Sequence, residues 1–153
     1  MQRILVAVDG SELGWKALDT ALKLAKSEGS SVSVIHVTGE QIIRAPLTAQ
    51  TSSLITSETQ APITAIPESL QKEEVLKGLD VLEKARIIAE KENIKADFIV
   101  KSGDPADQII KEAEKNYDLL VVGFRGIHAK FPGIGSIAEK ILQRSPCPVL
   151  VVK

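Results

Sequence analysis

Short runs of β-branched and other apolar residues alternate along this chain with segments whose apolar residues recur at helical spacing. This alternation constrains the fold more than any other feature. Short apolar runs that lead into turns are typical of buried strands. They lie at Arg3–Val8, Ser31–Val37, Ala96–Val100, Leu119–Val122 and Val149–Val152. Because strands that alternate with helices favour a parallel sheet covered on both faces, the sequence predicts an open five-stranded parallel α/β sheet. We take the doubly wound strand order 3-2-1-4-5 for this sheet.

The segments between these strands carry helix signals. Either Asp9 or Ser11 is expected to cap the first helix, which continues to about Lys26. Asp104 is predicted to cap the third helix, with Pro105 at its first position, where no backbone N–H is needed. The second and fourth helices are predicted at Ser69–Asn93 and Ser136–Arg144. The inward side of the second helix is expected to carry Leu70, Val75, Leu79, Leu82 and Ala89.

The charge balance and composition are those of an ordinary soluble domain. Nineteen basic and twenty acidic side chains give a formal net charge of −1, which argues against a nucleic-acid binder. We see no signal segment and no apolar stretch long enough to span a bilayer, so we expect no membrane partner and a cytoplasmic location. The single cysteine, Cys147, excludes an internal disulfide and is expected to be structural.

The length of 153 residues suits one domain over residues 1–153. Residues 38–67 interrupt the strand–helix rhythm with a stretch rich in Thr, Ser, Gln, Ala and Pro. A loop of that length in a compact domain is usually functional or mobile. We therefore interpret 38–67 as a variable loop insertion.

The predicted strand order places a ligand crevice at one position in the sheet. In open α/β sheets, ligands bind at the carboxyl ends of the strands where the strand order reverses. For the order 3-2-1-4-5 this point lies between the first and fourth strands, which end near Asp9 and Gly123. Asp9 and Gly123 also open the two most unusual loops of the chain.

The glycine-rich segment 123–136 is the most informative of these loops. Glycines let a backbone approach an anion closely, and the start of the following helix offers unpaired N–H groups to a phosphate. Arg125, His128 and Lys130 supply possible countercharge. The chain contains no Gly-Lys pair, so a Walker loop is excluded. The match of 133–138 to a dinucleotide fingerprint does not directly follow a strand, so we reject a Rossmann dehydrogenase.

At this point the motifs resemble those of the ATP-binding universal stress proteins. Gly123, Gly126, Gly135 and Ser136 stand at the fixed positions of that family's glycine signature. Four further motifs resemble the family in the same order along the chain. They are ILVAVDGSE at 4–12, VIHV at 34–37, GDPADQI at 103–109 and SPCPVLVV at 145–152. One departure is that eight residues, 127–134, separate Gly126 from Gly135, one fewer than in the family signature.

The resemblance implies a Rossmann-like fold of the adenine nucleotide alpha hydrolase type, ATP as ligand, and Mg²⁺ carried on the phosphates. Asp9 would meet the ribose or nearby polar atoms, and the backbone around Val37 would hold the adenine edge. The backbone amides of the glycine loop and helix start would hold the phosphates. The implied nucleotide site comprises Ala7, Val8, Asp9, Val37, Val122, Gly123, Arg125, Gly126, Gly135, Ser136 and Ile137. The resemblance also implies a homodimer through the strand Val149–Val152.

These residues leave more than one function open. The leading interpretation is a regulatory or sensor module in the stress response that binds ATP, because an obvious general base or dedicated metal-binding acid beyond Asp9 is lacking near the loop. The alternatives are an interaction protein of the same fold that does not use ATP, and a slow ATPase. An adenylating enzyme is a further alternative. That class usually carries an SGG-type loop after its first strand, and this chain has Asp9-Gly10-Ser11 there instead.

Overall fold

The computed structural model describes residues 3–38, 68–127 and 129–153. The predicted insertion 38–67, apart from Thr38, and the candidate His128 lie outside these ranges. The elements in chain order are β1 Arg3–Ala7, α1 Glu12–Glu28, β2 Ser31–Thr38, α2 Glu68–Lys91, β3 Ala96–Ser102, α3 Pro105–Ala113, β4 Leu119–Gly123, α4 Ser136–Arg144 and β5 Val149–Val152. In these ranges, no helix is long and apolar enough to cross a membrane.

The strands form one parallel sheet of order β3-β2-β1-β4-β5, which confirms the predicted fold and strand order. Ile4 pairs with Val32 on one side of β1, and Leu5 pairs with Leu120 on the other. The strand Val149–Val152 lies at the edge of the sheet beside β4. The apolar runs thus mark three central strands and the two edge strands, β3 and β5.

Two separate cores cover the two faces of the sheet, because successive side chains of a strand point in opposite directions. Ile4 and Val6 pack under α1 and α2 with Leu18, Leu22 and Leu82. On the other face, Leu5 packs under α3 and α4 with Ile35, Ile109, Leu120 and Ile141. The single apolar run of β1 therefore supplies both cores.

Side-chain caps define the starts of α1 and α3. Ser11, rather than Asp9, caps α1, and its Oγ accepts the Gly14 N–H at 3.0 Å. Asp104 Oδ1 accepts the Asp107 N–H at 3.0 Å, with Pro105 in the first turn of α3 as predicted. The start of α4 differs, because its N-cap residue is Gly135 and no side chain in the described part of the chain caps it.

The rotation of α2 about its axis corrects one prediction. Leu82 and Ala89 are buried as expected, but Leu79 is 52% exposed and does not face the sheet. The neighbouring Gly78 is buried instead. A Cβ at Gly78 would lie 3.2 Å from His36 Cδ2 and 3.2 Å from a Thr38 methyl group. The helix therefore approaches β2 closely at Gly78 and leaves little room for a side chain there. The prediction missed this position because a glycine is not counted when an apolar stripe is read from the sequence.

Candidate functional site

The crevice lies where the sequence placed it, between the ends of β1 and β4. β1 and β4 are neighbours at the centre of the sheet, and the chain crosses from β1 to β2 on one side and from β4 to β5 on the other. Asp9 follows β1 after one residue, and Gly123 is the last residue of β4. The loop after β1 and the glycine loop therefore meet at the point of strand reversal.

The carboxylate of Asp9 joins these two loops. Its Oδ1 accepts the backbone N–H of Ser11 at 2.9 Å and the Ser11 hydroxyl at 2.5 Å. Its Oδ2 accepts the backbone N–H of Ile127 at 2.9 Å. The negative charge also lies beside the start of α1, where the helix dipole favours an anion. Asp9 is thus the contact through which the end of β1 holds the glycine loop.

Two glycines leave room for this carboxylate. A Cβ at Gly14 would lie 2.7 Å from Asp9 Oδ1, and a Cβ at Gly126 would lie 2.7 Å from Asp9 Oδ2. Real Cβ atoms do not approach oxygen so closely, so a side chain at position 14 or 126 forces the carboxylate or the backbone to move. The absence of a side chain at both positions lets α1 and the glycine loop close on Asp9 from opposite sides.

The glycine loop is closed at its base by backbone hydrogen bonds. Gly135 donates its N–H to the Phe124 carbonyl at 2.8 Å, and Phe124 donates its N–H to Val152 at 2.7 Å. A Cβ at Gly135 would lie 3.2 Å from Arg125 Cα, so the two ends of the loop touch, as in a compact Ω-loop. Because the ends meet directly, the Gly135 amide is used within the loop.

The start of α4 stands beside this closure. The first-turn N–H groups of a helix have no intrahelical partner, and no side chain of the described residues caps them at Gly135. Ser136 and Ile137 are exposed at this start. Gly126, whose amide nitrogen lies near Gly135, donates no backbone hydrogen bond among the described residues. Gly126, Ser136 and Ile137 are therefore the predicted amides with unused donors.

Gly123 has a packing role that the sequence did not indicate. A Cβ there would lie 3.0–3.1 Å from the backbone carbon and oxygen and the Cβ of Leu13. The end of β4 thus packs against the main chain of α1, which cannot move away as a flexible side chain can. Gly123 is required for this close packing, independently of any ligand.

The predicted apolar residues of the crevice lie on different faces of the sheet. Ala7, Val37 and Val122 pack in the core under α3 and α4. Val8 is only 3% exposed and packs in the opposite core. Its N–H donates to Ile35 at 3.0 Å, and its carbonyl lies 2.8 Å from His36 Nδ1. Both backbone polar groups of Val8 are therefore used within the chain.

His36 is buried, as expected for a core residue. A carbonyl oxygen can only accept, so the Nδ1 of His36 donates to Val8 and fixes the residue just before Asp9. The sequence indicated the packing of His36 but not this hydrogen bond. Gly14 was also missed as a site residue, and a glycine in the first turn of a helix was the signal for it.

Positive side chains surround the base of the glycine loop. The Lys153 ammonium lies 4.6 Å from the centre of the Phe124 ring, and the Arg125 guanidinium lies 6.0 Å from it. Arg125 and Lys130 are exposed, and neither forms an ion pair with the described part of the chain. A cavity of about 260 Å³ opens between the start of α1 and the loop, lined by Ser11, Glu12, Leu13, Arg125, Gly126 and Ala129.

A parallel α/β sheet with a glycine loop at its point of strand reversal defines a doubly wound α/β protein, a class in which ligands bind at that point. Within that class, the model of the universal stress protein family matches residues 1–153. The chain belongs to the universal stress protein family.

Relatives and solved structures agree with this membership. The chain is 38% identical to universal stress protein YxiE of Bacillus subtilis, over 99% of this chain and 98% of the relative. It is 33% identical to stress response protein NhaX of the same organism, over 99% and 97%.

Among solved structures, universal stress protein UspA from Lactobacillus plantarum superposes with a TM-score of 0.78 at 20% identity, over 99% of this chain and 97% of that chain. The universal stress protein of Archaeoglobus fulgidus in complex with dAMP has a TM-score of 0.68 at 21% identity, over 100% and 98%. An Arabidopsis thaliana family protein with AMP bound has a TM-score of 0.68 at 20% identity, over 100% and 92%. At these identities the likeness concerns the fold.

Proposed function

We propose that this chain binds adenine nucleotides, with ATP as its physiological ligand, and acts as a homodimeric regulatory or sensor module in the cytoplasm. The observation that carries the proposal is the uncapped start of α4 beside the closed glycine loop. Helix starts with unused N–H groups and a positive dipole end favour phosphate. The proposal is further supported by the two related folds whose structures contain dAMP and AMP.

The phosphate contacts that we propose are the amides of Gly126, Ser136 and Ile137. The Gly135 amide already donates to Phe124, so we leave it out of the phosphate site in this arrangement of the loop. Arg125, exposed and without an ion pair to any described residue, supplies countercharge from the cavity side of the loop. Mg²⁺ would enter bound to the phosphates.

The base would lie towards the end of β2, near Val37, on the face of the sheet that also carries Ala7 and Val122. The homodimer that we propose forms through β5. This strand is at the edge of the sheet and apolar on both faces, with Leu150 and Val152 in one core and Val149 and Val151 in the other. An apolar edge strand promotes pairing with another chain unless it is covered.

The test is calorimetric titration of the protein with ATP and Mg²⁺, repeated with Ser136→Glu. A carboxylate at the first position of α4 is compatible with the helix dipole but repels a phosphate held at the same amides. We expect Ser136→Glu to keep the thermal stability of the protein and to weaken ATP binding by about tenfold or more. Gly123→Val is not a clean probe, because its side chain would strike the Leu13 main chain.

The matched control is Gln143→Glu, which adds the same charge to an exposed position near the other end of α4. Seven residues along a helix separate the two positions by about 10 Å, so ATP binding should change little. Equal weakening by both variants would show that net charge, not the helix start, controls binding. No binding to the native protein at millimolar ATP would favour the alternative function, an interaction protein of the same fold that does not use ATP.

A further inference from the structure

Both carboxylate oxygens of Asp9 accept hydrogen bonds from the chain itself. Oδ1 accepts two hydrogen bonds from Ser11, and Oδ2 accepts the Ile127 N–H at 2.9 Å. Gly14 and Gly126 face the two oxygens, and neither has a side chain that would displace the carboxylate. Three of the roughly four hydrogen bonds that a carboxylate can accept are therefore made to the chain itself.

The partner of Oδ2 lies at a mechanically important position. Ile127 is the first residue of the span between Gly126 and Gly135, which is closed at its far end by the Gly135–Phe124 hydrogen bond. The Asp9–Ile127 hydrogen bond spans 118 positions in sequence and fixes the near end of the loop. The Ile127 side chain is 60% exposed, so apolar packing contributes little to holding this residue.

We propose that Asp9 is a positioning residue, whose carboxylate holds the glycine loop against the start of α1 through the Ile127 amide. The amides of Gly126 and the α4 start are thereby kept at a fixed separation for an anionic ligand. The effect on the loop stands by itself, and the effect on nucleotide affinity rests on the proposed function. A charged acceptor suits this role because its hydrogen bonds are stronger than neutral ones.

The first experiment uses the free protein, so that it does not depend on any ligand. Amide hydrogen exchange of Ile127 is followed by NMR in the native chain and in Asp9→Ala. Because a hydrogen bond to a charged group is lost, we expect the Ile127 amide to exchange about tenfold faster or more. The amides of β1 and β4 should keep their protection. Unchanged Ile127 exchange in Asp9→Ala would overturn the proposal.

Ser11→Ala is the matched control. It removes one donor at Oδ1 and the cap of α1 but leaves Oδ2 and Ile127 in place. Ile127 should therefore exchange as in the native chain. Equal acceleration by Ser11→Ala and Asp9→Ala would assign the effect to a general loosening of the α1 start and would also overturn the proposal.

Asp9→Asn covers the case in which Asp9→Ala does not fold. An amide has one oxygen, and the two Ser11 donors claim it more strongly than the single Ile127 donor. The NH₂ group then faces the Ile127 N–H, so two donors oppose each other and the loop is released. Accelerated Ile127 exchange with an intact α1 start is the expected signature. Native protection of Ile127 in Asp9→Asn would contradict the assignment.

The ligand experiment separates positioning from ribose contact. ATP and 2′,3′-dideoxy-ATP are titrated into the native chain and Asp9→Ala. A positioning role predicts that Asp9→Ala weakens both ligands by the same factor, about tenfold. A loss confined to ATP would assign Asp9 to the sugar hydroxyls and overturn the proposal. If neither ligand binds the native chain, the proposed function fails, and Ile127 exchange still decides the role of Asp9.

Discussion

The close approach of α2 to β2 at Gly78 allows a quantitative test of the structure. Gly78→Ala adds one methyl group, whose carbon would lie 3.2 Å from His36 Cδ2 and 3.2 Å from the Thr38 methyl group. Neither neighbour can turn away freely. The ring of His36 is held by its 2.8 Å hydrogen bond to Val8, and Thr38 Oγ1 donates to Lys101 at 3.2 Å.

Two opposing effects set the free energy of unfolding of this variant. Replacing a helical glycine by alanine stabilises a helix by about 1 kcal/mol. Forcing a methyl group into a packed interface costs about 1–3 kcal/mol. Because both neighbours are held by hydrogen bonds, we take about 2 kcal/mol for the packing cost, so the net expectation is a destabilisation of about 1 kcal/mol.

Urea unfolding of the native chain and Gly78→Ala at one protein concentration measures this difference. The variant His36→Ala removes the ring that meets the new methyl group, so on that background Gly78→Ala should lose about 1 kcal/mol or more of its cost. Leu79→Ala tests the rotation of the helix. Its side chain is half exposed, so its effect should stay within about 0.5 kcal/mol.

A stabilisation of about 1 kcal/mol by Gly78→Ala would show that α2 lies farther from β2 than described. An unchanged cost when His36 is truncated would show that the new methyl group does not meet the His36 ring. A large loss of stability in Leu79→Ala would show that Leu79 faces the sheet after all, as the sequence alone predicted.

Two further substitutions test the packing and the capping of the site. Gly123→Ala places a methyl group 3.0 Å from the Leu13 main chain and should destabilise the protein by about 1–3 kcal/mol in urea unfolding. An unchanged free energy of unfolding would show that β4 lies farther from α1 than described. Asp104→Ala removes the cap of the Asp107 N–H and should cost about 1 kcal/mol by the same measurement, with no change in ATP affinity; a shift in affinity would contradict the placement of the nucleotide at α4.

The fold was predictable from sequence because its signals are local. Each apolar run is short and is followed by a turn, and the pair Asp104-Pro105 marks the start of a helix. The alternation of strands with helices then indicates a parallel sheet with helices on both faces. The orientation of α2 was not predictable, because Gly78 is inward for lack of space rather than for its hydrophobicity.

The site was predictable as a place but not as a set of contacts. Asp9 and Gly123 mark the crevice from strand order alone. The hydrogen bond from Ile127 to Asp9 joins residues 118 positions apart, and a backbone donor leaves no mark in the sequence. The use of the Gly135 amide within the loop likewise depends on how the eight-residue span closes. Distances across loops are set by the folded chain as a whole.

The apolar residues predicted to line the crevice pack in two separate cores, one on each face of the sheet. Val8 is anchored on one face, with α1 and α2, whereas Ala7, Val37 and Val122 are anchored on the other, with α3 and α4. The two sides of the crevice are therefore supported by separate pairs of helices, and the backbone of β1 connects them. Substitutions placed far apart in the two cores should have additive effects on the free energy of unfolding.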